Sequence, residues 1–199
     1  MNKTRKTTNS TLHIPHSTLT RYALIDLTIL AFVMVALEGL IFYGMNRFPG
    51  ELYTLSIILP VSLIVIMRWG AVGVLYAVLG GWMHFLLLDV VDINRYLYVL
   101  GYLGVVLCLP LIFLPGKERV RDSTVLTVLF VVLGWLGMGI GRGFVVFQTL
   151  TAEVLAMDLL NGFAAVIIVL IARKQNGVFE DQRHYLNRLH EESKNGSTK

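Results

Sequence analysis

Residues 22–45 read YALIDLTILAFVMVALEGLIFYGM. This stretch carries only two formal charges, Asp26 and Glu38, across 24 residues. About 20 apolar residues suffice for a helix to cross the roughly 30 Å hydrocarbon core of a bilayer. Read outward from here, the chain repeats the pattern. Apolar runs follow at 51–67 (with Pro60), 69–88, 95–114, 123–147 and 153–172, separated by Phe48-Pro49-Gly50, Arg68-Trp69-Gly70, Asp89 to Asn94 and Pro115-Gly116-Lys117. The sequence therefore predicts an all-α polytopic membrane protein of six transmembrane helices with short loops. Its parts are a cytoplasmic amino tail (1–21), a six-helix membrane domain (22–172) and a cytoplasmic carboxyl tail (173–199). Pro60 and the shortness of the second run predict a kinked or partly non-helical segment there.

Composition agrees. The 199 residues are 55% hydrophobic and only 15% charged, against about 45–50% and about 25% in soluble domains. Such a chain lacks the charge to cover a water-facing surface. A soluble globular enzyme, a disordered chain and a nucleic-acid-binding domain are all disfavoured. The excess positive charge has another explanation. Fourteen Lys and Arg residues fall on one side of the predicted spans: four in the amino tail, Arg68, three over Lys117 to Arg121, and six in the carboxyl tail. Arg47 and Arg95 fall on the other side, and Arg142 lies within a span. The positive-inside rule then puts both tails in the cytoplasm, which an even number of spans requires. The location expected is the cell membrane. The amino tail has no signal-peptide pattern. The one cysteine, Cys108, lies in an apolar run and reads as a small packed hydrophobe.

Ionisable residues inside spans are expensive and face protein interior or a wet cavity. Here they are Glu38, His84, Arg142 and Asp158, with Asn161 beside Asp158. The predicted topology sets all of them in the outer half of the membrane, as a pocket open to the outside would require. Small residues accompany them. Gly73, Ala77, Gly80 and Gly81 share a helical face with His84, Gly139 shares one with Arg142, and Gly162 and Ala165 share one with Asp158. Such faces point toward neighbouring helices. The fifth run holds Gly134, Gly137, Gly139, Gly141 and Gly143, either for tight packing or for a backbone that bends to admit a ligand. Aromatic residues gather near the outer ends, and Trp82 and Tyr53 are candidates to stack on a flat ligand. In such a pocket Glu38 and Asp158 accept hydrogen bonds, Asn161 accepts or donates, Arg142 meets an anionic or carbonyl group, and His84 makes a neutral polar contact. Two acids against one base favour a cationic or donor-rich ligand.

No nucleophile elbow, zinc-protease motif or phosphate-binding loop occurs. No enzyme activity, cofactor or metal is expected. The carboxyl tail, with Val178, Phe179, Gln182, Tyr185, Leu186 and Leu189, predicts a short amphipathic helix that rests on lipid headgroups or docks on a cytoplasmic partner.

Six spans in about 200 residues, together with Arg68-Trp69-Gly70-Ala71-Val72-Gly73 running on to Ala77 and Gly80-Gly81, resemble the substrate-binding S component of an energy-coupling factor (ECF) vitamin transporter. That resemblance implies a membrane coupling subunit, two cytoplasmic ATPases and a small-molecule substrate. It implies that the first helix docks on the coupling subunit through an alanine-rich face, here Ala23, Leu27 and Ala31. The alternative reading is a non-transporting membrane scaffold of the cell-shape or cell-wall machinery. An intramembrane enzyme or a membrane sensor is a weaker third reading.

Overall fold

The computed structural model describes residues 16–47, 55–87, 99–146, 152–175, 177–179, 182 and 185. Every regular element among them is helical. The helices are α1 (His16–Arg47), α2 (Ile58–Trp69), α3 (Val72–Leu87), α4 (Val99–Phe113), α5 (Lys117–Asp122), α6 (Thr124–Val146) and α7 (Ala152–Lys174).

Two of these stretches, Arg21–Gly44 in α1 and Thr124–Arg142 in α6, are long and apolar enough to cross a membrane; α2, Val72–Leu86 of α3, and α4 are shorter apolar helices. Leu24, Ile25, Phe32 and Leu40 of α1, Leu86 of α3, Val125 and Ile140 of α6, and Phe163 and Ile171 of α7 all stand exposed. An exterior of this kind suits association with a membrane, because it would face water at a cost of about 25 cal/mol for each Å².

The shortest of the apolar helices is the hub. Helix α2 packs against α1, α3, α6 and α7, and eight of its twelve residues are buried. Pro60 sits in the first turn of α2, where its missing N–H would have had no intrahelical acceptor. Among the described residues of the predicted second span, 55–57 are non-helical and lie just before the helix. Gly70 then turns the chain back at φ 75°, a left-handed conformation that favours glycine. It lets α3 lie directly on α2. A β carbon on Gly73 would stand 2.5 Å from the Ile66 nitrogen, and one on Gly80 would stand 2.5 Å from the Ile58 side chain.

The closest helix pair is α4 with α6. A β carbon on Gly104 would lie 1.9 Å from the Gly137 carbonyl oxygen, and one on Gly141 would lie 2.1 Å from that of Gly101. Backbone meets backbone at this crossing, so Gly137 and Gly141 of the fifth predicted span are needed for close packing, and α6 itself is a continuous helix. The irregular winding falls on its partner instead, for Tyr102–Cys108 of α4 form a 3-10 helix.

Further boundaries differ from expectation. Helix α1 begins at His16, inside the predicted amino tail, and Lys117–Asp122 form a short helix rather than a plain loop. Helices continue past the apolar windows because the backbone hydrogen-bond ladder, unlike the hydropathy, does not stop at a polar residue.

One end of the bundle is held by charge. Asp26 accepts from Arg68 Nε (2.9 Å), Arg68 Nη2 (2.6 Å) and Trp69 Nε1 (2.6 Å). Arg68 Nη1 also donates to the Gly177 carbonyl at 2.6 Å. The start of the carboxyl tail is thereby drawn onto the helices, and Phe179 is buried edge-on against Phe130, with ring centroids 6.5 Å apart. Phe179 thus packs into the chain's own core, and Gln182 is buried and donates to the Gly177 carbonyl at 3.0 Å; Leu186 and Leu189 of the predicted amphipathic helix lie outside the described residues. The first-helix face offered for docking is likewise partly committed. Leu27 and Ala31 pack beside Met34, Val65 and Tyr76, and the Leu27 carbonyl accepts the Tyr76 hydroxyl. Ala23 is half-buried. The open face of α1 is the opposite one, through Ile25, Ile29, Phe32 and Leu40.

Two outcomes follow from these contacts. Gly137→Ala lowers thermal stability in detergent, on the order of 2–3 kcal/mol for overpacking that the backbone cannot relieve. Gly39→Ala, where nothing lies within 4 Å, does not lower it. Arg68→Ala releases the turn at 177–179, and limited proteolysis then cuts the carboxyl tail at protease concentrations that leave the parent chain intact.

Candidate functional site

The start of α2 leaves backbone N–H groups without intrahelical acceptors, as any helix does. The residues before it, Leu55, Ser56 and Ile57, offer no side-chain cap to the first turn except the Ser56 hydroxyl, 3.3 Å from the Ile58 nitrogen. The cap comes from two other helices. Glu38 of α1 places Oε1 2.6 Å from the Ile57 nitrogen, 3.2 Å from that of Ile58 and 2.8 Å from the Ser56 hydroxyl. Asn161 of α7 places Oδ1 2.7 Å from the Ser56 nitrogen. A carboxylate at a helix N-terminus is favoured by both the free donors and the helix dipole.

The second carboxylate oxygen of Glu38 continues the chain of contacts. Oε2 lies 3.2 Å from His84 Nε2 on α3. His84 Nδ1 lies 2.8 Å from the Tyr102 hydroxyl of α4. The Arg142 guanidinium of α6 stands over the Tyr102 ring, 5.4 Å from its centroid, a cation–π arrangement. Arg142 Nη2 donates to Asp158 Oδ1 of α7 at 2.5 Å, and Trp135 Nε1 of α6 donates to the Asp158 carbonyl at 2.9 Å. One connected network thus links α1, the start of α2, α3, α4, α6 and α7, all at the same end of the bundle.

Small residues make the convergence possible. Gly81 lies against the Tyr102 ring, where a β carbon would be 2.8 Å from a ring carbon. Gly162 takes the Trp135 indole face, and Gly139 leaves Asp158 Oδ2 a berth 3.3 Å from where its β carbon would be.

The five polar residues expected from sequence, Glu38, His84, Arg142, Asp158 and Asn161, are therefore brought together. Glu38 is the most enclosed of the five. Glu38 is 2% exposed and both of its oxygens are engaged by protein donors. It holds α2 and His84, and at 2% exposure it offers a ligand almost no surface. The two acids expected to favour a cationic or donor-rich ligand each face a protein partner, Glu38 meeting His84 and Asp158 paired to Arg142. The side chains of His84, Arg142 and Asp158 are each about a fifth to a quarter exposed (20%, 21% and 27%). They, with the half-buried Asn161, are the accessible members. Trp82 is 41% exposed and pairs edge-on with Phe85 at 5.3 Å. Two residues before His84, it projects from the other side of α3. Tyr53 lies outside the described residues.

Ser56, Tyr102 and Trp135 belong to the network but were not singled out as site residues. Tyr102 lies in an apolar run whose 3-10 winding no periodicity announces. Ser56 acts largely through its backbone nitrogen. Trp135 lies seven residues before Arg142, on the same helical face. Among the described residues no group of three His, Cys, Asp or Glu side chains could hold a metal ion.

Glu38→Ala should cost on the order of 3–5 kcal/mol, the scale for breaking a buried charged hydrogen-bond network. Thermal unfolding measures this, and hydrogen exchange at the Ile57 and Ile58 amides should accelerate while exchange in α6 does not.

Comparison with known protein families, curated proteins and solved structures finds no match to this chain.

Proposed function

We propose that the chain is the substrate-capturing membrane subunit of an ATP-driven importer of a vitamin-like micronutrient. In this reading six helices cross the cell membrane, both tails are cytoplasmic, and the polar network opens to the outside. It is not an enzyme and needs no cofactor or metal. Energy comes from partners, a membrane coupling subunit and two cytoplasmic ATPases, as the resemblance to ECF S components implies. The exposed apolar faces of α1, α6 and α7 meet lipid.

The observation that carries the reading is the convergence of Glu38, His84, Tyr102, Arg142, Asp158 and Asn161 at one end of an otherwise apolar bundle. Ionisable groups in such surroundings mark a ligand pathway by default. His84, Arg142, Asp158 and Asn161 retain exposed surface, as a docking site needs. Helix α2, fixed from both sides by Glu38 and Asn161, gives the accessible groups a rigid floor.

The test is ligand-dependent stabilisation of the purified protein in lipid nanodiscs across a panel of vitamins and nucleobases. A true ligand raises the melting temperature. Arg142→Ala and Asp158→Ala remove that rise, and in cells they reduce uptake of the same compound by tenfold or more, about the worth of one charge-assisted hydrogen bond. If no compound stabilises the protein and a strain lacking it takes up the panel normally, the capture reading is wrong. The scaffold reading would then account for the chain.

A further inference from the structure

The orientation of Asn161 is settled by its partner. The Ser56 backbone nitrogen can only donate, so the atom 2.7 Å from it must be the amide oxygen. The Asn161 Nδ2 group, with two N–H donors, is turned the other way. One helical turn earlier on the same face of α7, Asp158 uses Oδ1 for Arg142 and its backbone carbonyl for Trp135. Its Oδ2 rests beside Gly139. Among the described residues neither Asp158 Oδ2 nor Asn161 Nδ2 has a hydrogen-bond partner. Positions three apart on a helix bring β carbons within about 5–6 Å. The face therefore presents a strong acceptor beside a strong donor.

We infer that this face of α7 reads a cyclic-amide edge, an N–H beside a C=O, on a neutral heterocyclic ligand. The inference rests on the capture reading above and names its substrate class. The ligand N–H donates to Asp158 Oδ2 and the ligand carbonyl accepts from Asn161 Nδ2. Arg142 offsets the charge of Asp158, and the charge of Glu38 is spent on Ser56, Ile57, Ile58 and His84. Among the described residues the two carboxylates of the network already face protein partners, so a neutral ligand adds no charge to be matched, whereas a charged one would bring its own into the site. Gly139 keeps the space around Oδ2 that a larger residue would fill.

The experiment uses the full chain in nanodiscs of phosphatidylcholine and phosphatidylglycerol. The probes are uracil and hypoxanthine, 1,3-dimethyluracil in which the ring N–H groups are methylated, and two charged compounds, thiamine and glycine. Melting temperature and titration calorimetry are the readouts. The expected result is stabilisation by uracil or hypoxanthine. Affinity for 1,3-dimethyluracil falls at least about tenfold, the scale of one hydrogen bond lost in a desolvated site. Asn161→Asp keeps the acceptor for the Ser56 N–H but replaces the donor with a second acceptor, and it weakens uracil or hypoxanthine binding by a similar factor. Equal binding of uracil and its dimethyl derivative overturns the assignment, and that result does not depend on any variant folding. Binding of thiamine or glycine without either cyclic amide also overturns it, while leaving the capture reading intact. No response to these probes or to the wider panel overturns both.

Discussion

The Glu38 carboxylate is the contact on which the rest of this structure depends. A buried ion costs several kcal/mol unless its surroundings replace the water it has lost. Here the surroundings are the Ile57 and Ile58 backbone nitrogens, the Ser56 hydroxyl and His84. The exchange works in both directions. The start of α2 cannot satisfy its own N–H groups, and Glu38 in the apolar stretch of α1 cannot satisfy its own charge. Each solves the other's problem, and α1 is thereby tied to the hub helix at one level.

From that level the polar chain runs outward through His84 and Tyr102 to the Arg142–Asp158 pair. Its reach depends on how closely the helices approach. Glycine at 101, 104, 137 and 141 allows α4 and α6 to touch backbone to backbone, which sets the Tyr102 ring beneath Arg142. Without that approach the Arg142 guanidinium would stand farther from the Tyr102 ring, 5.4 Å from its centroid here. Packing by small residues and polar recognition are here two aspects of one arrangement.

The opposite end uses the same kind of chemistry for closure. Arg68 forks onto Asp26 and also reaches the Gly177 and Val178 carbonyls. Arg173 donates to the Arg121 and Asp122 carbonyls and to the Thr124 hydroxyl. These guanidiniums bond to carbonyls at helix ends and turns. The planar five-donor fork of arginine suits such several-way contacts, where a lysine would supply one point charge.

Much of this was legible in the amino-acid order. Long apolar runs broken by Gly, Pro and Arg announce helices in any setting, because the backbone must satisfy its own hydrogen bonds wherever water is scarce. The costly residues Glu38, His84, Arg142, Asp158 and Asn161 could be picked out singly, and their small neighbours on each helical face indicated that they turn inward. What each one does was not legible, because a role is a property of partners distant in the chain. Glu38 reads as a ligand acceptor until Ile57 and Ile58 are seen to occupy it. Leu27 and Ala31 read as an outward face until Tyr76 and Val65 are seen against them. Tyr102 carries no mark in its apolar run, since only the 3-10 winding of α4 and the glycine crossing bring it between His84 and Arg142. Hydropathy and spacing are local quantities and determine the helices, whereas hydrogen-bond partnership is settled only when those helices meet.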